Sequence, residues 1–516
     1  MPKSFIELFA GCGGLSLGLR SAGFTELAAN ELSSMPAETF ALNLMGIDLR
    51  SEEFANTPIG KRNVLWIDPS SEDIIERLND NPFERPQTDM PELSTTSDFT
   101  GKLIVGDIRR LNSFIEDKHS PLINGEVDLV SGGPPCQSFS LAGRREFGNQ
   151  RNQLPWEFAK FVNAQRPKMV LLENVEGILR PFKLENHTYY AWFEVCKAFA
   201  SIGYVTCPLL VNARLAGVAQ NRPRFIMIAV REDLATNLSS DTADWFQQGI
   251  RLIDAVRKDS TDAEYDGDRW TYRDLNESSW QQRAQHSVFS PLVAFPEIDS
   301  QRTVFDAIGD LQLENAPRKS RYVKNLNKLF SPLLADPRHA MMNTRVPVNT
   351  PRVRARFRLY QIIARAGKET TNEVRAVLRR QSVELPSPIA EYLLDADLLD
   401  YGRGIPDDER SLMTYLDGLA TKKFSQKALL KDQPAPAALS IPDDICHYQE
   451  ARTLSVREMA RIQSFPDAFE FRGIPTTGGA RRSYQVPQYT QIGNAVPPLL
   501  GNALGNVISN ILGELS

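Results

Sequence analysis

The sequence has few cysteines, few histidines and no long apolar run. Its five cysteines are scattered and form no CxxC pair, which argues against a disulfide framework and a structural zinc site. The five histidines show no metal-ligand spacing. No apolar run approaches the ~20 residues that a membrane span needs, and Glu7 interrupts the short apolar stretch at the N-terminus. We therefore expect a cytoplasmic protein without a metal or a membrane partner.

The sequence also lacks an excess of positive charge, since its net charge is −5, but the charge is unevenly distributed. Residues 321–380 contain fourteen lysines and arginines against three acidic residues. Such a block indicates a phosphate-binding surface, although a solvated helical face is the alternative. Arg352, Arg354, Arg356 and Arg358 alternate, so an extended chain would project all four to one face and a helix would spread them. In either form we expect them to contact phosphates.

The first 230 residues alternate between short apolar runs and helical patterns, which predicts a parallel, doubly wound α/β sheet. Residues 46–100 interrupt this rhythm. They are polar and rich in proline, serine and threonine, and we expect an insertion with little regular structure beyond a helix near 72–78. The predicted strands cover residues 4–9, 25–29, 103–105, 127–131, 169–173 and 225–230.

The pattern changes near residue 231, where clean strand runs disappear and tryptophan, arginine and proline become frequent. We therefore predict a domain boundary there. A helix over 455–464 follows, with Ser455 and Glu458 spaced as a capping box. Another helix begins near Val496, where two prolines fit a first turn.

A glycine-rich turn follows the first predicted strand, with the sequence Phe-Ala-Gly-Cys-Gly-Gly over residues 9–14. Glycines between a strand and a helix allow backbone N–H groups to approach a ligand closely. Glu31 follows the next strand and could hold two ribose hydroxyls. These features indicate a nucleoside cofactor but do not separate NAD from S-adenosylmethionine, and the spacing is not GxGxxG. The alternative is a turn that only packs a helix on the sheet.

Three further candidates follow predicted strands, at the sheet edge where ligands bind in this architecture. Cys136 follows a Gly-Gly-Pro-Pro loop, which favours an exposed nucleophile over a core cysteine. Glu173 ends its strand and is a candidate proton donor or an ordinary helix-capping carboxylate. Arg222 and Arg224 share one side of an extended chain and could reach one ligand or be edge-strand charges.

Taken in order, these motifs resemble the DNA cytosine-5 methyltransferase family. The resemblance rests on FAGCGG, PPCQ, ENV, QNRPR, RTLSVREMARIQSFPD and QIGNAVPP, and covers residues 4–44, 103–231 and 445–512. It implies Cys136 as nucleophile, Glu173 as the acid on the cytosine ring nitrogen, and Arg222 and Arg224 as supports for the base and the acid. The positions that match the cofactor-binding motifs are Phe9, Gly11, Gly13, Gly14, Glu31, Asp107, Ile108, Pro134, Asn494, Ala495 and Val496.

The resemblance implies a Rossmann-like methyltransferase domain over 1–230 and 447–516, and a variable target-recognition domain over 231–446. It also implies S-adenosylmethionine as cofactor and a cytosine flipped out of double-stranded DNA as substrate. A monomer is expected, with a cognate restriction endonuclease or phage-defence proteins as candidate partners. The 75-residue stretch between Glu31 and Asp107 is long for this family.

Three other functions remain open at this point. An RNA methyltransferase would use the same chemistry, but the long recognition segment and its basic block favour DNA. A DNA-binding regulator without catalysis is disfavoured by the intact Cys136, Glu173 and Arg222. A nicotinamide-dependent enzyme is disfavoured by the glycine spacing and the PPCQ loop.

Overall fold

A computed structural model describes residues 3–135, 153–183, 188–258, 264–336, 340–423, 425–437 and 442–515. Strands and helices alternate over the first part of the chain, as the sequence predicted. The strands are β1 Lys3–Leu8, β2 Phe24–Glu31, β3 Val64–Trp66, β4 Lys102–Val105, β5 Leu129–Gly132, β6 Met169–Val175, β7 Phe182–Lys183, β8 Thr188–Tyr189, β9 Tyr204–Asn212, β10 Gln220–Asn221, β11 Pro223–Arg231, β12 Arg273–Asp274, β13 Lys427–Ala428, β14 Ala435–Pro436 and β15 Ile445–Cys446.

Helices alternate with the strands in the first part of the chain and dominate the second. They are α1 Gly14–Ser21, α2 Ser34–Phe40, α3 Glu52–Asn56, α4 Ile74–Asn79, α5 Pro91–Ser94, α6 Ile108–Lys118, α7 Leu154–Gln165, α8 Ala191–Ser201, α9 Glu232–Ala235, α10 Ser240–Arg257, α11 Ser278–Gln285, α12 Val304–Ile308, α13 Arg321–Phe330, α14 Pro351–Ala366, α15 Lys368–Leu378, α16 Ser387–Leu394, α17 Glu409–Gly418, α18 Val456–Ile462, α19 Gln488–Asn494 and α20 Pro498–Glu514. Ser455 caps α18 in the predicted capping box with Glu458.

Nine of the described strands form one sheet in the order β12-β9-β11-β6-β5-β1-β2-β4-β3. The pairs from β6 to β3 are parallel, so these strands all end at the same edge. The α/β, doubly wound fold class is therefore confirmed. The expectation of a wholly parallel sheet is wrong, because β11 runs antiparallel to both of its neighbours.

Three strands of the large sheet were not predicted, namely β3, β9 and the two-residue β12. β9 is a nine-residue, fully buried strand, although Pro208 in its middle argues against a strand in sequence terms. β3 lies inside the predicted insertion and adds a parallel edge strand next to β4. The expectation that residues 46–100 hold little regular structure is therefore wrong for this edge, while the helix predicted near 72–78 is present as α4.

Hydrophobic clusters cover both faces of the sheet. Along β4, Ile104 belongs to one cluster, and Leu103 and Val105 belong to the other, as expected when successive side chains point to opposite faces. Helices α1 and α20 cross closely, because an ideal Cβ on Gly18 would lie 2.5 Å from the Cα of Gly501. This crossing holds the C-terminal helix against the helix that follows the glycine-rich turn.

The described parts of residues 231–446 are divided among three cores. Residues 240–293 pack with the sheet beyond the boundary predicted near 231, and α10 contacts β9 so closely that a Cβ on Gly249 would lie 2.3 Å from the Thr206 carbonyl oxygen. Helices α12 and α13 join the second cluster. Helices α14 to α17 form a core of their own, which we call the helical lobe (residues 351–419).

The arginine-rich segment forms α14, so its four alternating arginines are spread around a helix. Arg356 is buried and its Nε donates to the Leu419 carbonyl oxygen at 2.8 Å. Arg358 forms an ion pair with Asp397. Only Arg352 and Arg354 are exposed, so the expectation that all four contact phosphates is wrong for Arg356. Among the described helices, none is both long and apolar enough to cross a membrane.

Candidate active site

The glycine-rich turn lies at the carboxyl end of β1 and leads into α1. Phe9, Gly11 and Gly13 all have positive φ angles, of 56°, 55° and 91°. Glycine adopts this region without strain, but the same conformation at Phe9 is unusual and is typical of functional sites. An ideal Cβ on Gly11 would meet no described atom within 4 Å, so open space adjoins the turn there.

Glu31 ends β2 and is held against the glycine-rich turn by backbone N–H groups. Its Oε2 accepts from Gly11 N at 2.9 Å, and its Oε1 accepts from Ser33 N at 2.8 Å. Burial raises the pKa of Glu31, although these N–H donors lower it in part. An ionised carboxylate accepts about four hydrogen bonds, so each oxygen keeps capacity for one hydroxyl donor. The carboxylate and the open space beside Gly11 therefore fit the ribose of a nucleoside cofactor.

A C-terminal segment closes over the same turn. An ideal Cβ on Gly14 would lie 2.3 Å from the Val496 carbonyl oxygen, so only glycine allows this approach. Asn494 is exposed at the end of α19, Ala495 is half-buried and Val496 is buried. The structure thus brings the glycine-rich turn and residues 494–496 together, although they are almost 500 positions apart in sequence.

Asp107 and Ile108 follow β4, next to Glu31 at the same sheet edge, because Glu31 pairs with Val105 in the register. Asp107 caps α6 by accepting from Arg109 N at 2.9 Å, and its carboxylate also pairs with the Arg109 side chain. Ile108 is buried. Part of the Asp107 carboxylate is therefore already engaged within the protein.

Glu173 and Arg224 form a buried ion pair at the ends of β6 and β11. Arg224 Nε lies 2.8 Å from Glu173 Oε1, and the two side chains are 10% and 11% exposed. The antiparallel register brings them together, since Arg224 pairs with Val175, two residues beyond Glu173. Burial lowers the pKa of Arg224, and Glu173 opposes that shift.

The loop after β5 runs directly beside Glu173. An ideal Cβ on Gly133 would lie 3.0 Å from Glu173 Oε2, and Asn174 Nδ2 donates to the Pro134 carbonyl oxygen at 2.9 Å. The chain therefore passes Glu173 at Gly133, three residues before Cys136. Cys136 itself lies outside the described residues. The sequence assigned no role to Asn174, and its position directly after Glu173 was the only available signal.

The remaining cysteines are poor nucleophiles. Cys12, Cys196, Cys207 and Cys446 are buried and free, and burial raises the pKa of each thiol. A buried thiol with a raised pKa holds almost no thiolate at neutral pH. None of these four described cysteines is therefore suited to nucleophilic attack.

Arg222 and Arg224 do not act as a matched pair. Arg222 is buried, and its Nη2 donates to the carbonyl oxygens of Gly493 at 2.8 Å and Ala495 at 3.1 Å. Its Nε and Nη1 have no hydrogen-bond partner among the described residues. Burial lowers the pKa of Arg222, and the nearby charge of Arg224 adds to that effect. Arg222 thus holds the C-terminal segment, whereas Arg224 holds the strand-end carboxylate.

Among the described residues, no group of three or more histidine, cysteine, aspartate and glutamate side chains is arranged to hold a metal ion. At this sheet edge, Glu173, Arg222 and Arg224 lie beside the loop that leads to Cys136.

Comparisons with known proteins support one family. The profile of the C-5 cytosine-specific DNA methylase family matches residues 3–59 and 96–510. Type II methyltransferase M.DdeI of Desulfomicrobium norvegicum is 26% identical over 509 residues, covering 98% of this chain and 88% of that protein. Type II methyltransferase M.Eco47II of Escherichia coli is 25% identical over 515 residues, covering 99% and 80%. The unmatched residues 60–95 fall within the insertion predicted at 46–100.

Proposed function

Since this chain belongs to the C-5 cytosine-specific DNA methylase family and is a DNA cytosine-5 methyltransferase, we propose that it methylates carbon five of a flipped-out cytosine through a covalent adduct of Cys136. The observation that carries this proposal is the buried Glu173–Arg224 pair beside the loop that leads to Cys136. This arrangement would put a carboxyl group and a thiol on the same face of one sheet edge.

Residues around the glycine-rich turn would hold S-adenosylmethionine. Glu31 takes the ribose hydroxyls, and Gly11 leaves room for the ligand beside its backbone. Gly13 and Gly14 complete the turn, packed against Leu44 and the Val496 carbonyl oxygen. Asp107 and Ile108 would face the adenine, and residues 494–496 would close the pocket. Bound S-adenosylmethionine supplies an activated methyl group.

The residues of the chain prepare cytosine to accept that group. Carbon five of cytosine is a weak nucleophile, so the Cys136 thiolate first forms a bond to carbon six while Glu173 provides a proton at the ring nitrogen. The resulting enamine-like ring carries enough electron density at carbon five for methylation. Loss of the carbon-five proton then expels the thiolate and restores the aromatic ring. The ring must be reached from its face, which requires the base to leave the duplex.

The two arginines have separate tasks in this scheme. Arg224 fixes the orientation of the Glu173 carboxyl group, and Arg222 holds the C-terminal segment beside the cofactor. The unpartnered N–H groups of Arg222 are available to the base or to the Cys136 loop.

DNA recognition belongs to residues 231–446 in this proposal, with the helical lobe as its separate unit. Arg352 and Arg354 are exposed on α14 and would contact phosphates. The relatives named Type II methyltransferases support a role as the modification enzyme of a restriction–modification or phage-defence system.

Bisulfite or enzymatic-conversion sequencing of DNA from cells that express the protein tests the proposal. We expect 5-methylcytosine at one short recurrent sequence, absent from cells that carry Cys136→Ser. Methyl transfer to tRNA but not to duplex DNA would contradict the DNA assignment and favour an RNA methyltransferase with the same chemistry.

A further inference from the structure

The internal segment that the family profile does not match, residues 60–95, adds strand β3 to the sheet beside β4. It therefore lies next to the strands that end at Glu31 and Asp107. β3 pairs in parallel with β4, with Trp66 opposite Val105. The chain that follows β3 therefore emerges at the same edge as the candidate cofactor site.

The first residue after β3, Ile67, packs against Val105 and Gly106, the two residues before Asp107. Ile67 is fully buried, and its backbone N–H donates to the Val105 carbonyl oxygen at 3.0 Å. An ideal Cβ on Gly106 would lie 2.7 Å from the Ile67 Cβ. The inserted chain thus packs directly on the segment that leads into Asp107.

The insertion is firmly attached to the sheet at this end. Glu92 Oε2 accepts from Trp66 N at 2.8 Å, and Glu92 Oε1 pairs with Arg77 at 2.6 Å. Both side chains of this pair are 1% exposed. A buried, fully engaged pair of this kind fixes the geometry of the segment that it joins.

One arginine of the insertion reaches across to the turn after Glu31. Arg85 Nη1 donates to the Leu32 carbonyl oxygen at 3.1 Å, and Nη2 donates to Ser34 Oγ at 2.8 Å. Its guanidinium is oriented by a two-point pair with Asp80, at 2.7 and 3.0 Å. The Arg85 side chain is 5% exposed, so these bonds are shielded from water.

Leu32 and Ser34, the two residues that Arg85 contacts, flank the backbone N–H group that binds the Glu31 carboxylate. Ser33 lies between Leu32 and Ser34, and its N–H donates to Glu31 Oε1 at 2.8 Å. Loss of the Arg85 contacts would free both sides of this turn, and the Glu31 carboxylate would lose its fixed direction. A carboxylate that must accept two hydroxyls at once depends on that direction.

We propose that Arg85 is a positioning residue for the cofactor, through which the insertion fixes Glu31 for the ribose of S-adenosylmethionine. The inference rests on the proposed function, since it assumes that Glu31 binds the ribose. It assigns to residues 60–95 a part in cofactor affinity that the family profile does not cover.

Calorimetric binding of S-adenosylhomocysteine to the full chain without DNA tests this role. We expect Arg85→Ala to weaken binding about tenfold, a typical coupling between residues in one network, and Glu31→Gln to weaken it at least as much. Because Arg85 acts through Glu31, the double variant should bind no more weakly than Glu31→Gln alone. Asp80→Asn leaves residues 31–34 unchanged but removes the charge partner of the Arg85 guanidinium. Its cofactor affinity should therefore lie between that of the wild type and that of Arg85→Ala.

Arg62→Ala is the matched control. Arg62 is a buried arginine that also donates to backbone carbonyl oxygens, those of Thr57 and Ala55, but it precedes β3 at the opposite sheet edge. Its replacement should leave the affinity unchanged. If Arg85→Ala fails to fold, as judged by circular dichroism, Asp80→Asn and Arg85→Lys still decide the question.

The outcomes separate the inference from the proposed function. If the wild type binds and Glu31→Gln weakens binding, but Arg85→Ala behaves like Arg62→Ala or adds fully to Glu31→Gln, only the positioning role is wrong. If Glu31→Gln leaves the affinity unchanged, the ribose assignment and the positioning role both fail. If the wild type binds no S-adenosylhomocysteine, the proposed cofactor itself is contradicted.

Discussion

Replacing Glu173 by glutamine separates the chemical role of this carboxyl group from its structural role. The change keeps the shape of the side chain but leaves the buried Arg224 guanidinium without its charge partner. Removing one partner of a buried pair costs about 3–5 kcal/mol of stability. Because the free energy of unfolding of a typical domain is about 5–15 kcal/mol, we expect the variant to stay folded at 25 °C with a lowered melting temperature.

The loss in methyl transfer should be larger than this stability change alone explains. A missing general acid costs on the order of 10²–10⁴ in rate, while the affinity for DNA should hardly change. Single-turnover methyl transfer at saturating cofactor, normalised to the folded fraction, measures this loss directly.

Asp310→Asn provides the control, since Asp310 Oδ1 forms an ion pair of 2.6 Å with the buried Arg461 that involves neither Glu173 nor Arg224. It should lower the melting temperature and leave the single-turnover rate near that of the wild type. A Glu173→Gln rate within tenfold of the wild type would refute the reasoning, and Glu173 would then be only the structural partner of Arg224.

Three further predictions follow from the contacts. Gly14→Ala places a methyl group against the Val496 carbonyl oxygen, which should cost about 1–3 kcal/mol of stability and weaken cofactor binding, measured by denaturation and calorimetry. His447 is fully buried, and burial, followed by the nearby Arg452 charge, lowers its pKa to about 3. The unfolded chain therefore takes up a proton below about pH 6.5 that the folded chain refuses, and the free energy of unfolding should fall with decreasing pH by up to ~1.4 kcal/mol per unit, a slope that His447→Asn should reduce. Replacing Arg352 and Arg354 by alanine should weaken cognate and non-cognate DNA binding alike and make the salt slope shallower by roughly one unit per lost phosphate contact.

Each of these predictions has a control or a contrary outcome. Gly60→Ala should be neutral, because no described atom lies within 4 Å of its ideal Cβ. An unchanged pH slope in His447→Asn would assign the titration to another group. Arg358→Ala should leave the salt slope unchanged, since Arg358 is already paired with Asp397. Loss of cognate binding alone in the Arg352 and Arg354 variant would indicate base contacts instead of phosphate contacts.

The sequence predicted those parts of the fold that local patterns encode. Apolar runs bounded by glycine and proline placed β1, β2, β4, β5, β6 and β11, and the motifs at their ends placed Glu31 and Glu173 at one edge. An apolar run does not indicate the direction of its strand in the sheet. The antiparallel orientation of β11 relative to β6 was therefore not expected. Pro208 argued against a strand at the position of β9. β3 has only three residues, which are too few to show the alternation of apolar and polar side chains typical of a strand.

Long-range contacts were beyond the reach of sequence patterns. Arg222 and Arg224 are two positions apart, and only the fold shows that one reaches residues 493–495 while the other pairs with Glu173. Arg356 resembles its charged neighbours in sequence but faces the core of the helical lobe. Arg85 lies in a polar segment without a motif, and its contacts to Leu32 and Ser34 depend on how the insertion folds back.

The most direct test of the central claim is covalent trapping on duplex DNA that contains 5-fluorocytosine at the methylated position. Fluorine replaces the proton that must leave carbon five, so the adduct cannot collapse after methylation. With S-adenosylmethionine, the wild type should form a denaturant-stable complex whose cross-linked peptide maps to Cys136 by mass spectrometry, and Cys136→Ser should form none. An adduct that persists in Cys136→Ser, or that maps to Cys12 or another buried cysteine, would contradict the account.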